Sequence, residues 1–321
     1  MKRLLRTVAV ASGVLGAALL ASIGAQTQAQ SQASRIIVVS HGQANDPFWS
    51  VVKNGVTAAA RETGVQVDYR APETFDMVAM SQLIDAAANL KPAGLVVSIP
   101  DASALGASIK KAVAAGIPVI SMNSGSDVSK SLGALLHVGQ DEYIAGKAGG
   151  AKLRELGGKV GLCVNQEVGN VALDLRCKGF SDGFGGKVAV VPVSNDPVEV
   201  RAKVKAALQA NADVDTILGL GAATAGEPSL AAVRDLGRIG RVNVATFDLS
   251  SGFLKSVAAA EAAFAIDQQQ YLQGYLPVVF AVLFVTNLNT VGNGQPVLTG
   301  PGIINKANAA KVAALAAKGT R

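Results

Sequence analysis

From Arg35 onward, short apolar runs alternate with longer stretches whose apolar residues recur at helical spacing. The runs are apolar throughout, instead of alternating apolar with polar residues. This pattern is typical of parallel strands that helices cover on both faces. It predicts ten strands, at residues 35–40, 65–70, 93–99, 117–122, 134–139, 158–165, 187–193, 214–220, 242–247 and 262–267.

The order of these segments repeats once along the chain. The stretch from Lys91 to Asn123 resembles the stretch from Asp213 to Asp248: each has a strand, a small-residue loop, a helix, a glycine turn, a strand and a polar end. Two rounds of five strands favour two similar lobes over one sheet of ten. The fold class predicted is α/β, with two doubly wound parallel-sheet lobes.

The first residues are predicted to be a secretory signal peptide, residues 1–29. Lys2, Arg3 and Arg6 precede an apolar run, Val8–Ile23, and small residues follow, with cleavage sites after Ala25 or Ala29. A membrane anchor is the alternative, but the run is shorter than the roughly 20 residues of a membrane span. No cysteine follows the run, so we expect an exported, periplasmic protein without a lipid anchor.

Charge and cysteine content narrow the class further. The chain has 29 Lys and Arg against 23 Asp and Glu, and three of the basic residues lie in the predicted signal peptide. The small remaining excess of positive charge argues against a nucleic-acid partner.

Cys163 and Cys177, the only cysteines, lie on a predicted strand and the following helix. A disulfide is favoured in an exported protein, the alternative being two small buried side chains.

Polar residues cluster where the predicted strands end, and in open parallel sheets this is the edge that binds ligands. They are mostly Asn, Asp, Gln and Arg. Such groups suit a polyhydroxylated ligand, because carboxylates and amides can pair with neighbouring hydroxyls. The stretch NDPFW adds Asp46, Phe48 and the sole tryptophan, Trp49. The aromatics would stack on sugar C–H faces, or else Asp46 caps a helix and the aromatics pack in the core.

Other chemistries find less support in the sequence. His41 and His137 lack metal-ligand spacing, so neither a metal nor a cofactor is expected. The stretch GLGAAT, Gly219–Thr224, follows a strand and resembles a dinucleotide fingerprint, but Thr224 replaces the third glycine. An NAD-type dehydrogenase that uses this stretch therefore stays as an alternative.

Several motifs together resemble those of a known family. NDPFW, AGIPVI, HVGQDEYIAGKAGG, LRCKGF, VATFD and AIDQQQYLQGY occur in this order. The chain resembles the type I periplasmic solute-binding proteins of the ribose, galactose and inositol cluster. The resemblance implies two lobes joined by three crossovers, with 35–139 plus 268–297 in the first lobe and 140–267 plus 298–321 in the second. It also implies a monomer that delivers a sugar to the permease of an ABC importer.

The resemblance assigns ligand contacts to individual residues. Asp46 stands at a family asparagine position, Phe48 and Trp49 at stacking aromatics, and Asn123 at the aspartate of the ribose branch. Arg176, Asp248 and Gln268 match the family arginine, aspartate and crossover glutamine. Asn195 replaces an aromatic, and the stretch before Arg176 offers replacement contacts, among them Asn165, Glu167, Asn170 and Asp174.

The expected ligand is therefore a sugar or polyol, and ribose is in doubt because Ser124 replaces an arginine of that branch. Another small polar solute, such as a signalling furanosyl compound or a nucleoside, is the alternative. We expect the ligand to close the cleft, and an open cleft to hydrate Arg176. On this hypothesis, truncating Arg176 weakens binding but hardly changes the stability of the unliganded protein.

Overall fold

The computed structural model describes residues 35–42 and 46–321, so the predicted signal peptide lies outside the described residues. Ten strands correspond to the ten predicted ones, and two short strands follow. The strands are β1 Arg35–Val39, β2 Gln66–Arg70, β3 Gly94–Ser98, β4 Val119–Asn123, β5 Leu136–Gly139, β6 Val160–Asn165, β7 Lys187–Pro192, β8 Thr216–Gly219, β9 Asn243–Phe247, β10 Phe264–Asp267, β11 Val297–Leu298 and β12 Gly302–Ile304.

Helices alternate with the strands along most of the described chain. They are α1 Pro47–Thr63, α2 Met77–Asn89, α3 Ala102–Ala114, α4 Glu142–Glu155, α5 Val171–Phe184, α6 Pro197–Ala210, α7 Glu227–Asp235, α8 Ser251–Ala258, α9 Gln270–Asn287 and α10 Ala309–Ala316. Asp46 caps α1 by accepting a hydrogen bond from the backbone N–H of Phe48. None of the helices in the described part of the chain is long and apolar enough to cross a membrane.

The strands form two sheets of six with equivalent strand orders. The first sheet runs β11-β5-β4-β3-β1-β2 and the second β12-β10-β9-β8-β6-β7. The pairings are parallel except that β12 is antiparallel to β10. Strand β4 therefore corresponds to β9, which confirms the internal repeat and the two-lobed α/β fold.

The inner strands of each sheet are buried on both faces, which explains why their runs contain so few polar residues, whereas the edge strands β2 and β7 are partly exposed. On β1, Ile37 and Val39 pack into a cluster with α2 and α3, whereas Ile36 and Val38 pack into a cluster with α1 and α9. Successive side chains of a strand point to opposite faces. A strand with a helical layer on each side therefore needs apolar residues at every position.

The last two strands belong to the segment that follows α9. Strand β11 joins the first sheet beside β5, and β12 joins the second sheet beside β10. The lobe boundaries proposed from the sequence lie at the ends of β5 and β10 and within β11. The chain thus passes between the sheets after β5, after β10 and between β11 and β12.

The two cysteines form a disulfide, as the sequence predicts. Cys163 on β6 and Cys177 on α5 have Cα atoms 5.7 Å apart. Both side chains lie in the core on one face of the second sheet, with Phe180 and Phe184. The bond ties α5 to β6, the strand next to the edge strand β7.

Candidate functional site

A cavity lies between the carboxyl ends of the two sheets, where the lobes face each other. The space inside it that a water-sized sphere can occupy is about 40 Å³, so the facing side chains lie close together in this arrangement of the lobes. Nine of the residues predicted from the sequence line it: Asp46, Phe48, Trp49, Asn123, Glu167, Asn170, Arg176, Asp248 and Gln268. The lining also includes His41, Pro47, Gln166, Leu173, Leu220, Leu249 and the segment Gly221–Thr224.

The aromatic pair from the start of α1 serves the core and the cavity at once. Trp49 is only 5% exposed and packs in the core of the first lobe. Its ring lies edge-on to Phe48, with centroids 5.1 Å apart, and to His41, at 4.7 Å. Since Phe48 and Trp49 also line the cavity, the two interpretations of this stretch are not exclusive.

Asn123 and Asp248 occupy equivalent positions in the two lobes. Asn123 is the last residue of β4, and Asp248 follows β9 directly. Both have left-handed backbone conformations, with φ of 62° and 67°. Asn and Asp tolerate this region better than most residues, and the turn directs each chain away from its sheet at the cavity.

Gln268 connects these two positions from the crossover after β10. Its Nε2 donates a hydrogen bond to Asp248 Oδ1, and its Oε1 accepts one from Asn123 Nδ2 at 3.4 Å. Gln273 reinforces the bridge, since its Nε2 donates to Gln268 Oε1 at 2.9 Å and its Oε1 accepts from Asn123 Nδ2 at 3.1 Å. The crossover thereby links the ligand-facing ends of both sheets.

Arg176 is fixed by groups of its own lobe. Its Nε and Nη2 donate to both carboxylate oxygens of Glu142, at 2.5 and 3.0 Å, and Nη1 donates to the carbonyl of Leu220 at 3.1 Å. The guanidinium lies over the ring of Phe247, 4.4 Å from its centroid. Arg176 is 3% exposed and Glu142 5%. In this arrangement of the lobes a buried carboxylate pairs with Arg176, and its hydration in an open cleft stays a prediction.

A loop of the second lobe brings Glu167 across to the first lobe. Glu167 Oε2 accepts a hydrogen bond from Asn170 Nδ2 at 2.8 Å and lies 3.7 Å from His41 Nε2. Burial lowers the pKa of His41 to about 3, and Arg176 adds to the effect, so the imidazole is neutral. Burial raises the pKa of Glu167 to about 7 although Asn170 and Arg176 oppose the shift.

Asp248 has a similarly raised pKa. Burial raises it to about 7, against the opposing effects of Arg176 and Gln268, and the charges of Asp46 and Glu142 contribute. The cavity therefore holds several carboxyl groups that lose hydration on folding. Hydrogen-bond donors of a ligand would replace that hydration.

The sequence matches the family described as periplasmic binding protein domain over residues 36–287. The chain belongs to this family. Its members are solute-binding proteins and not enzymes, which rules out the dehydrogenase alternative. They bind small solutes and work with the permeases of ABC importers.

Individual relatives agree with the assignment. A carbohydrate transporter from Acidothermus cellulolyticus 11B, crystallised with myo-inositol, is 38% identical; the match covers 89% of this chain and 99% of that chain, with a TM-score of 0.85. A periplasmic sugar-binding protein of an ABC transporter from Legionella pneumophila is 25% identical, covering 83% and 99%, with a TM-score of 0.76. The xylose/arabinose-binding protein XylF of Sulfolobus acidocaldarius is 22% identical, and the match covers 78% of this chain and 66% of that protein.

Three predicted contacts, Asn165, Asp174 and Asn195, lie outside the cavity lining of this periplasmic binding protein. Asp174 is exposed on α5 and accepts a hydrogen bond from Asn165 Nδ2 at 3.1 Å. Asn195 lies in the loop after β7, where its Oδ1 is buried without a hydrogen-bond partner among the described residues. None of the three contributes to the cavity in this arrangement of the lobes.

The stretch from Gly219 to Thr224 does not open a regular α-helix. A π-helical turn, Ala222–Gly226, separates the end of β8 from α7. Its first residues contribute backbone and small side chains to the cavity wall. No group of three or more His, Cys, Asp or Glu residues suited to a metal ion occurs in the described part of the chain.

The sequence did not single out two residues that organise the site. Glu142 and Gln273 do not line the cavity, but each holds a side chain that does. Both lie in motifs that resemble the family's, HVGQDEYIAGKAGG and AIDQQQYLQGY. These motifs are the sequence signal for the two residues, but a motif does not reveal which cavity side chain each residue contacts.

Proposed function

We propose that this protein captures a sugar or cyclic polyol between its two lobes and delivers it to the permease of an ABC importer. The observation that carries the proposal is the cavity between the carboxyl ends of the two sheets. It combines carboxylates, amides, one guanidinium and two aromatic rings, drawn from both lobes.

The chemistry of the lining suits a ring with several hydroxyl groups. Asp46 and Asp248 each have one carboxylate oxygen engaged by the protein, at Phe48 N and Gln268 Nε2, so the other oxygen can accept from a ligand hydroxyl. The guanidinium of Arg176 has roughly five N–H donors, and those not bonded to Glu142 or Leu220 are available to ligand oxygens. The faces of Phe48 and Trp49 supply apolar contact for C–H groups.

A cyclic polyol is the first ligand class to test. The relative at 38% identity was crystallised with myo-inositol. Pentoses come second, since XylF of Sulfolobus acidocaldarius, a relative at 22% identity, is a xylose/arabinose-binding protein. A nucleoside remains the outcome to exclude by measurement.

The site of action follows from the same proposal. The basic and apolar first residues are proposed to direct export and to be removed, leaving a monomer that works in the periplasm without a lipid anchor. The lobe boundaries proposed from the sequence would then define the two halves that close on the ligand.

Isothermal titration calorimetry of the chain from residue 30 tests the proposal. The titrants are myo-inositol, xylose, arabinose, ribose, galactose and adenosine, with NADH as a negative control. We expect saturable binding of at least one polyol or sugar, and a ligand at 100 times its Kd should add about 2.7 kcal/mol to the free energy of unfolding. Asp248→Asn should weaken binding, whereas the exposed Asp235→Asn should not. Binding of adenosine or NADH alone would contradict the proposal.

A further inference from the structure

Helices α4 and α5 approach each other more closely than side chains normally allow. A Cβ atom placed on Gly146 would lie 2.2 Å from the carbonyl oxygen of Arg176, and one on Gly179 would lie 2.1 Å from that of Tyr143. Gly150 and Gly183 make comparable contacts further along the pair. Only glycine permits such contact between backbones, so the glycines of GKAGG and of α5 set the distance between the helices.

The close contact places one particular side chain beside the ligand arginine. Glu142 is the first residue of α4 and lies four residues before Gly146, on the same face of the helix. Because Gly146 touches the backbone of Arg176, Glu142 comes within 2.5 and 3.0 Å of the guanidinium nitrogens. The glycine contact and the bidentate pair belong to one arrangement.

Glu142 is itself held in place. Its Oε2 accepts a hydrogen bond from Gln140 Nε2 at 2.9 Å, and Gln140 lies where the chain crosses between the lobes after β5. The position in the first turn of a helix also favours a carboxylate. The side chain that orients Arg176 is therefore anchored to the crossover and not to the ligand.

We infer that Glu142 is a positioning residue that aims the guanidinium of Arg176 at the ligand before the ligand binds. The inference rests on the proposed function and deepens it. Both helices belong to the second lobe, so the pair does not depend on closure of the cleft. A side chain ordered in advance loses less conformational freedom on binding, which strengthens binding without a new ligand contact.

The first test is Glu142→Gln, measured with the ligand that calorimetry selects. The variant keeps the shape but loses the charge and one acceptor oxygen, and we expect the Kd to rise at least tenfold. Glu155→Gln is the matched control, because Glu155 ends the same helix and is exposed in its pair with Lys152. Its Kd should equal that of the wild type.

A pH profile separates positioning from a merely structural role. Burial raises the pKa of Asp248 most, Arg176 and the hydrogen bond from Gln268 lower it, and the charges of Asp46 and Glu142 raise it further. A ligand hydroxyl donates more strongly to the carboxylate form of Asp248 than to its protonated form, and Glu167 in the same cavity also has a pKa raised to about 7, so affinity should fall as the pH decreases through about 7. Glu142→Gln removes one negative charge near Asp248 and frees Arg176 to approach it. Both changes favour the carboxylate form of Asp248, so the midpoint of the pH dependence of affinity should move to lower pH.

Two further variants keep the inference falsifiable if Glu142→Gln fails to fold. Glu142→Asp retains the charge but shortens the reach, so the pH midpoint should stay and the Kd should rise. Gly146→Ala retains both charges but forces the helices apart, and its Kd should rise as well. The inference would be overturned if Glu142→Gln had the Kd of the wild type and the same midpoint in the pH dependence of affinity. It would also be overturned if both Glu142→Asp and Gly146→Ala had the Kd of the wild type. If the wild type binds no sugar or polyol, the proposed function fails and the inference falls with it.

Discussion

Arg176 is where the ligand site and the folded core meet. A sequence reading treats this side chain as a ligand contact in a hydrated cleft, but in the structure it neutralises a buried carboxylate. Removing one partner of a buried pair leaves an uncompensated charge and typically costs about 3–5 kcal/mol. We therefore expect Arg176→Ala to lower the free energy of unfolding of the unliganded protein by that amount, measured by urea denaturation.

Arg201→Ala is the control for this prediction. Arg201 pairs with Asp235 at the surface, where its side chain is 51% exposed, and such pairs contribute about 0–1 kcal/mol. Equal losses of stability in the two variants would show that Arg176 is not paired as described.

The carboxylate of Asp248 is expected to lower the stability of the unliganded protein while it strengthens ligand binding. Because its pKa is raised to about 7 by burial from an ordinary value of about 3.9, the folded protein holds a proton there that the unfolded chain releases. The resulting penalty is absent below about pH 4, grows as the pH rises, and levels off above about 7. Asp248→Asn should therefore be more stable than the wild type at pH 8, by about 0.5–2 kcal/mol, and bind ligand more weakly.

The comparison is made by denaturant unfolding of both proteins without ligand at pH 4 and pH 8. The difference between them should be larger at pH 8. A constant difference across this range would mean that Asp248 does not titrate as its burial indicates.

The aromatic pair yields a third prediction. Trp49 is the sole tryptophan and lines the cavity, so saturating ligand should change its emission. Phe48 is partly exposed and Trp49 nearly buried, so Phe48→Ala should weaken binding while costing less than the roughly 3–5 kcal/mol of a core aromatic truncation. Fluorescence titration and thermal unfolding check the two parts. If the emission of Trp49 is unchanged and Phe48→Ala loses the full free energy of a core aromatic truncation, both aromatics serve only to pack the core.

For single residues, the sequence identifies the side chains that line the cavity better than the side chains that hold them in place. Asn123 ends β4, and Asp248 and Gln268 directly follow β9 and β10, so the fold class places all three at the edge of the sheets where the cavity lies. Asp174 was predicted by its nearness to Arg176, but two residues along a helix turn the side chain about 200°, to the opposite face. Glu142 precedes Arg176 by 34 positions, and only the packing of α4 against α5 reveals the pair.

At the scale of elements, the disulfide decides how firmly α5 is held. It closes a loop with a sequence separation of 14, for which chain entropy gives about 3 kcal/mol. The double variant Cys163→Ala/Cys177→Ala should lose about this amount in denaturant unfolding. Because Cys177 adjoins Arg176, ligand affinity should also decrease.

Thiol titration provides the independent check on the disulfide. Protein isolated from the periplasm and unfolded without reductant should show no free thiols. Two free thiols per chain would contradict the bond.

The central strands are recognisable because burial on both faces leaves few polar positions in them, whereas the edge strands β2 and β7 are partly exposed. Strands β11 and β12 escaped prediction because they have two and three residues, too few for any periodicity. They form only because the edges of β5 and β10 are available beside the crossover. The π-helical turn after β8 was missed for a related reason, since small residues such as those of Ala222–Gly226 are compatible with several backbone conformations.

At the scale of the whole molecule, the lobes touch each other around the cavity. The backbone N–H of Val171 donates to the carbonyl of Pro100 at 3.0 Å, and Glu167 approaches His41. These contacts join the second lobe to the first and would separate if the lobes swung apart at the crossovers. Closure of a cleft around a ligand is a hinge motion that the contacts of both lobes with the ligand stabilise.

The sequence predicts this two-lobed architecture because its repeat implies two equivalent sheets, and sheets of this kind bind at their carboxyl ends. It does not predict the size of the cavity or the contacts across it. Those depend on the relative placement of the lobes, which no local pattern encodes.

The most direct test is a crystal structure of the protein grown with the sugar or polyol that binds it most tightly. We expect a single ligand in the cavity between the lobes. It should lie within hydrogen-bond distance of Arg176 and Asp248 from the second lobe and of Asp46 or Asn123 from the first. A ligand that contacts one lobe only, or that lies outside this cavity, would contradict this expectation.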